Sequence, residues 1–458
     1  MTESLGNSRA LGFLYAVKIQ IHSNHYSPRL LYATDFLFGQ ILDFNLIYSS
    51  DAPLEKPEEV LIIYYGTKRP TIAKFFIPAH PFLEQNNIDT LMVTVNESKG
   101  LPAFFYLPLV EGSDLSFDIF AMTFYLLSRF EEYSKTVQKD EHQRFPARAS
   151  LAFKEGFLHQ PLIDQWAWRL YDLLKSKFPN CPERKPTYEF LPTIDVDFAW
   201  AYLHKGWGRT TASFFKSLLT LNRKLLTRQL KVVLAQQKDP YDTFDFLLDC
   251  YEKHDVKALF FMLLGEYGAY DKNNPPEQIS MQQLMKRLGE KAGLGIHPSY
   301  ASNNSFSIFK KEKQLLEKAI GASVKMSRQH FLKISLPETY QQLLAAGIEK
   351  DYSMGYAAAI GFRASTAHPF YWYDLENERA TELEIVPFAV MDVTLKNYLQ
   401  LKPEEALSAC AKIISQTRQT GGIFCLLWHN SSFSAEMGFE DWGGVYEKIV
   451  ALAVEEGG

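Results

Sequence analysis

Between residues 188 and 429, short apolar runs alternate with longer amphipathic stretches. The runs at 188–196, 257–264, 292–298, 324–330, 349–354, 384–393 and 422–429 have the length and the aliphatic and aromatic content of strands. Most are separated by 242–254, 278–290, 307–319, 337–346 and 403–418, where apolar residues recur at three- and four-residue steps, the period of a helix. Such alternation is the signature of parallel α/β architecture. Seven such units predict a (β/α) barrel or near-barrel rather than an open doubly wound sheet. No G-x-G-x-x-G or P-loop follows any run, which removes the nucleotide-binding versions of the open sheet.

Upstream the pattern changes twice. Residues 1–115 hold short runs broken by turn residues ("VLIIYYGT", "IAKFFIPA", "TLMVTVNES", "AFFYLPL"), predicting a smaller α/β N-terminal domain whose role the pattern does not disclose. Over 116–180 the period is helical. "FDIFAMTFYLLSRFEEYSK" and "PLIDQWAWRLYDLLKSKF" flank the polar loop "KTVQKDEHQRFPARAS", and Pro161 opens the second helix where proline is tolerated. The proline-rich, charged "PNCPERKP" at 179–186 marks a boundary, and the barrel is expected over 187–458. The charged residues of "SRFEEY" and "DEHQRFPARAS" either make an interdomain contact or reach over the site; the contact is the expectation.

Composition narrows the function classes. A chain of 458 residues exceeds one ordinary core, and 47% hydrophobic with 22% charged residues is the balance of a folded globular protein. A net charge of −5 offers no overall basic surface, so nucleic acid is not an expected partner. Cys181, Cys250, Cys410 and Cys425 are widely spaced without a C-x-x-C pair, which predicts neither a disulfide framework nor a thiolate metal site. No run reaches the about 18 apolar residues that span a bilayer. The first twenty residues lack a basic segment followed by an unbroken apolar one, so a cytoplasmic protein is expected. Residues 205–231 contain no acidic residue and space their apolar residues helically. They predict a basic amphipathic helix in peripheral contact with the inner face of a membrane, or one whose basic face is simply solvated.

In such folds the chemistry gathers at the C-terminal ends of the strands. "LPTIDVDFAW" ends in Asp195 and Asp197, and "GLGIHPSYAS" carries His297. "KMSRQHF" carries Arg328 and His330, "FAVMDVT" Asp392, and "CLLWHNSS" His429. Residues two apart on a strand share a face, so Asp195 and Asp197 can both point into the barrel mouth. Alone, the pair also fits a capped turn. A buried carboxylate is costly unless it is paired or bound to a metal. One carboxylate with two imidazoles is a usual divalent-cation set that leaves open positions. A second carboxylate can take a proton from water, and a further histidine can protonate a departing amine. The set predicts metal-assisted hydrolysis of an amide or ester.

Residues 187–435 also resemble the NodB-homology polysaccharide deacetylases, metal-dependent enzymes on a distorted (β/α) barrel that remove N- or O-acetyl groups from sugars. "TIDVD" is similar to the family's T-F-D-D-G motif, whose first aspartate is the base and whose second is a metal ligand. Thr193 and Asp195 match, which implies Asp195 as base. Val196 stands in the ligand column, so Asp197 would serve from one residue further on, and the two roles exchange if the strand register differs. "HPSYA" resembles H-S/T-x-x-H, with His297 matching the first histidine and Ala301 standing where the second belongs. "SRQHF" resembles the R-x-P motif: Arg328 matches the arginine that orients the base. His330, in the proline column, is expected to supply the ligand missing at 301. "LLWHN" resembles the last motif, with His429 as general acid.

The resemblance implies a divalent cation, Zn²⁺ foremost, on Asp197, His297 and His330, and a carbohydrate substrate; membrane contact through 205–231 would suit a precursor or lipid-linked sugar. Backbone N–H groups near Ser299 and Tyr300 would face the oxyanion. Tyr300 and Trp428, with Trp200 and Phe362, would stack on a sugar or else pack in the core. Arg363 would touch substrate or form an ion pair. Ala301 keeps two alternatives open: hydrolysis of another non-peptide C–N bond, and a catalytically silent barrel that binds carbohydrate or a partner.

Overall fold

The computed structural model describes residues 17–50, 60–89, 91–206 and 223–455. The chain forms two units, one from Met1–Asn87, Leu91–Leu126 and Leu162–Lys185, the other from Ile88–Thr90, Leu127–Pro161 and Pro186–Gly458. The first unit holds a parallel sheet in the order β2-β1-β3-β4, made of β1 (Lys18–His22), β2 (Asn45–Ser49), β3 (Val60–Gly66) and β4 (Phe75–Pro78). Parallel neighbours require a crossover. Between β1 and β2 it includes the helix Pro28–Thr34, started by the Ser27 side chain accepting from the Leu30 N–H and by proline in the first turn. The run "TLMVTVNES" yields only β5 (Asn96–Ser98), which pairs with β6 (Leu101–Ala103) as a small hairpin. The helix Leu162–Lys177 anchors on buried Trp166, whose indole N–H donates to the Pro102 carbonyl at 2.7 Å.

The second unit is built on nine strands. They are β7 (Tyr188–Val196), β8 (Leu259–Leu263), β9 (Gly293–His297), β10 (Met326–Ser327), β11 (Lys350–Asp351), β12 (Phe370–Asp374), β13 (Arg379–Ile385), β14 (Val390–Met391) and β15 (Gly422–His429). The ladder runs β12-β13-β11-β10-β9-β8-β7-β15-β14, and every pair is parallel except β12 with β13. Helices Phe244–Lys253, Ile279–Lys291, Phe306–Ile320, Glu338–Ala345 and Pro403–Thr420 fill the crossovers.

Three features depart from seven simple repeats. The 384–393 run splits at Pro387, which has no N–H for the ladder, into β13 and β14. β12 adds an antiparallel edge that the alternation did not signal. Among the described residues the hydrogen-bonded ladder ends at β14 and β12. The sheet nevertheless curls, because Leu191, Phe261, Tyr352, Phe388, Met391 and Leu427, from segments all along it, form one buried cluster. Gly295 lets this interior fill: a Cβ there would stand 2.5 Å from the Phe261 ring.

Residues 207–222, the larger part of the basic 205–231 segment, lie outside the described residues; the helix Arg223–Val233 follows them. Among the described residues no helix is long and apolar enough to cross a membrane.

Candidate functional site

Strand register brings the charged strand ends together. β7 and β15 pair Asp195 with His429, β8 and β9 pair Leu263 with His297, and β10 sets Ser327 against Ile296, so Arg328 emerges beside His297. Alternation along β7 places Thr193 and Asp195 on one face, while buried Val196 faces the other way. Asp197 lies one residue past the strand. The 324–330 run keeps only Met326–Ser327 as strand, since the His330 N–H bonds back to the Pro298 carbonyl and Phe331 takes a left-handed conformation, φ 59°.

Arg328 is fully buried and fixed on several sides. Its NH1 donates to Thr193 Oγ1 at 2.6 Å and to Asp195 Oδ1 at 3.2 Å, and its Nε donates to the Tyr352 carbonyl at 3.0 Å. The guanidinium lies 4.7 Å from the centre of the Phe261 ring. Asp195 is thereby oriented through Oδ1, and its Oδ2 stands 3.7 Å from His297 Nε2.

Asp197 is the centre of the cluster. Its Oδ1 is 3.3 Å from His297 Nε2, and its Oδ2 is 3.7 Å from His330 Nε2 and 3.9 Å from His429 Nε2. The far ring nitrogen of each histidine is already engaged. His297 Nδ1 bonds the Arg328 carbonyl, His330 Nδ1 meets Asp271 Oδ1 at 2.8 Å, and His429 Nδ1 meets Asp392 Oδ1 at 2.8 Å. A carbonyl only accepts, so His297 Nδ1 donates to it, and Nε2 is the ring atom that faces Asp197. The ligand atoms of Asp197, His297 and His330 all lie within 4.8 Å of one another.

The charges ask for a cation. Asp195 pairs with the Arg328 guanidinium, while Asp197, Asp271 and Asp392 face imidazoles. Burial alone would push the Asp197 carboxyl up, but His330, His297 and His429 hold it well below the usual range. Burial alone would push the imidazoles down. Asp197 and Asp271 instead carry His330 to about 9, and Asp392, Asp197 and Asp195 carry His429 to about 10. Asp197 Oδ1 is buried and accepts no hydrogen bond among the described residues. An unfilled carboxylate oxygen, two imidazoles tied through Nδ1 and an excess of negative charge fit a divalent cation, which would replace protons at the Nε2 atoms.

A cavity of about 160 Å³ opens on Asp195, Asp197, His297, His330 and His429, with Arg144 and Tyr398 on its rim. The other residues singled out from the sequence lie elsewhere. The Ser299 N–H donates to Glu312 at 2.9 Å and the Tyr300 N–H to Asp271 at 2.9 Å, so the donors expected to face an oxyanion are already engaged. Burial pushes that Glu312 carboxyl up to about 7 against the Ser299 hydrogen bonds. The Tyr300 ring stacks on Tyr270 at 4.2 Å. Trp428 faces away from His429, as alternation requires, and packs on Tyr446 at 5.1 Å between ring centres. Trp200 and Phe362 are buried. Arg363 is buried in a two-pronged ion pair with Glu132, and its Nε–Oε1 distance is 2.9 Å.

Sequence reasoning passed over Asp271, and for the charged segment that holds Arg144 it favoured a contact over a reach across the site. Both come from loops, where neither apolar period nor strand end marks a residue for the site.

Residues 19–179 match a family model described as a family of unknown function, DUF7033. No curated protein matches the chain. Solved structures with similar folds are polysaccharide deacetylases and related proteins of carbohydrate esterase family 4. A Mycobacterium smegmatis protein assigned to the polysaccharide deacetylases is 13% identical with a TM-score of 0.39, over 60% of this chain and 86% of that one. A CE4-family pseudoenzyme from Bacillus anthracis is 12% identical with a TM-score of 0.31, over 60% and 63%. The chitin deacetylase of Colletotrichum lindemuthianum is 12% identical with a TM-score of 0.31, over 59% and 84%. At such identities and TM-scores these likenesses carry no weight for the chemistry of this chain.

Proposed function

We propose that the second unit, a curled sheet of the distorted (β/α) barrel kind, is a divalent-cation-dependent hydrolase that removes an acetyl group from an N- or O-acetylated sugar. One observation carries the reading: Asp197, His297 and His330 converge within 4.8 Å, while Asp195 and His429 flank them in register. Asp197, His297 and His330 would hold the cation, and two imidazoles with one carboxylate suit Zn²⁺. When bound, it supplies Lewis acidity toward the acyl carbonyl and toward water.

The chain's own residues divide the proton work. Arg328 occupies Asp195 Oδ1, which leaves Oδ2 to take the proton of the attacking water. Asp392 accepts from the His429 backbone N–H at 2.8 Å and holds its Nδ1, so the ring is aimed and stays protonated. His429 Nε2 then gives its proton to the departing sugar nitrogen or oxygen. The proposal includes a cytoplasmic location and a precursor or lipid-linked sugar as substrate, with 205–231 touching the membrane face.

Acetate release from N-acetylglucosamine oligomers by the zinc-loaded full-length protein tests this. Asp195→Asn is expected to lower turnover by about 10²–10⁴-fold at unchanged zinc content, the range of a lost general base. No release by the wild type, or equal rates in the variant, rejects the reading.

A further inference from the structure

The 139–149 loop, expected from the sequence as a contact, contributes to the wall of the site. Arg144 borders the cavity over Asp197, and with Leu332, Ala357 and Tyr398 it also borders an adjoining cavity of about 500 Å³. Its guanidinium is held from two sides. Nε donates to Asp140 Oδ2 at 2.7 Å, and NH1 donates to the Phe331 carbonyl at 2.7 Å, one residue beyond His330. The NH2 nitrogen has no partner among the described residues. Arg148, exposed in the short turn Ala147–Ala149 on the same cavity, makes no ion pair among the described residues either.

The negative charges nearby do not balance these donors. Asp140 is fully engaged: Oδ1 accepts the His142 and Arg144 backbone N–H groups, and Oδ2 takes Arg144 Nε. Glu132 neutralises Arg363, the cavity's third arginine. The Glu141 side chain is 82% exposed. Two guanidiniums with unfilled donors on a cavity that shares Arg144, Leu332, Ala357 and Tyr398 with the one over Asp197 are suited to a bidentate oxyanion.

We infer that the substrate is an acylated sugar bearing an anionic group, phosphate or carboxylate, which Arg144 and Arg148 bind in this second cavity while the acyl group sits over Asp197. The inference rests on the hydrolase reading for what happens to the substrate, and on the arginines alone for the anion. Its test is therefore binding of already deacetylated sugars. Calorimetry on the full-length zinc-loaded protein would compare glucosamine 1-phosphate, muramic acid and neutral glucosamine.

At least one anionic sugar should bind about tenfold more tightly than glucosamine, the worth of one charge-assisted contact. The preference should vanish in Arg148→Gln and weaken in Arg144→Lys, which keeps the charge and loses the fork. The arm that binds identifies phosphate or carboxylate. Equal binding of all three sugars, or a preference that survives both substitutions, overturns the inference. Acetate release without this preference would remove the anion site alone. The preference without acetate release from any sugar would remove the hydrolase and leave the anion site standing.

Discussion

Two clusters of charge are buried in the second unit, and they differ in one respect. In the first, Arg129 meets Glu131 at 2.8 Å and Glu132 at 2.9 Å, and Arg363 closes on Glu132 from the other side. The remaining atoms are also used: Glu131 Oε2 accepts the Leu151 N–H at 2.7 Å, and Arg129 NH2 reaches the Tyr356 hydroxyl at 3.2 Å. Two cations balance two anions. In the second cluster, Asp195, Asp197, Asp271 and Asp392 outnumber Arg328 and the raised imidazoles of His330 and His429, and Asp197 Oδ1 accepts no hydrogen bond among the described residues. The closed cluster is complete as built and holds loops in place. The open one keeps a carboxylate oxygen unfilled and has room for a further positive charge. That difference, rather than burial or charge as such, sets the structural cluster apart from the candidate site.

Breaking the closed cluster gives the largest stability effect. Glu132→Gln leaves two buried guanidiniums facing a neutral amide, and breaking a buried pair costs about 3–5 kcal/mol. A urea midpoint lowered to that extent, with zinc affinity unchanged, is expected. A variant of wild-type stability would mean that the cluster is not what holds these loops.

A smaller effect comes from a buried carboxyl with neutral donors and no cation of its own. Asp351 accepts from the Ser327 hydroxyl at 2.8 Å and from the Ser353 N–H at 2.9 Å. Burial raises it to about 6 in spite of them. With its folded pKa above the unfolded one, the native state holds the proton more tightly. The stability this contributes is full below about pH 4 and is lost as pH rises through 6. Asp351→Asn removes the slope, so between pH 4 and 7 the stability difference should move by about 2 kcal/mol in the variant's favour. Parallel pH profiles for the two proteins would show that Asp351 is ionised throughout.

Much of this contrast was legible in the chain, for identifiable reasons. β7 and β15 are largely apolar runs, and their bounds coincide with 188–196 and 422–429. Because parallel strands end on the same side, the residues closing them had to meet; that principle offers Asp195, Asp197, His297, Arg328, His330, Asp392 and His429 as candidates. β12 was not legible, because "FYWYDLENERATELEI" turns through Leu375–Glu378 without glycine or proline to mark the reversal. Asp271 was not legible, and Arg144 only as one of a charged segment with two readings, because the place of both is set by tertiary approach of loops, which leaves no period in the sequence. Arg363 and Trp428 carry suggestive side chains, but partner choice and strand alternation decide where such residues point.

The central claim is that the open cluster completes itself with a divalent cation on Asp197, His297 and His330, with His330 filling the place left by Ala301. The most direct test is zinc stoichiometry and affinity of the purified full-length protein and of His330→Ala, measured by elemental analysis and calorimetry. One zinc per chain in the wild type, with affinity reduced at least tenfold in His330→Ala, is the predicted result. Wild-type protein without stoichiometric zinc, or His330→Ala binding it equally well, would contradict the account.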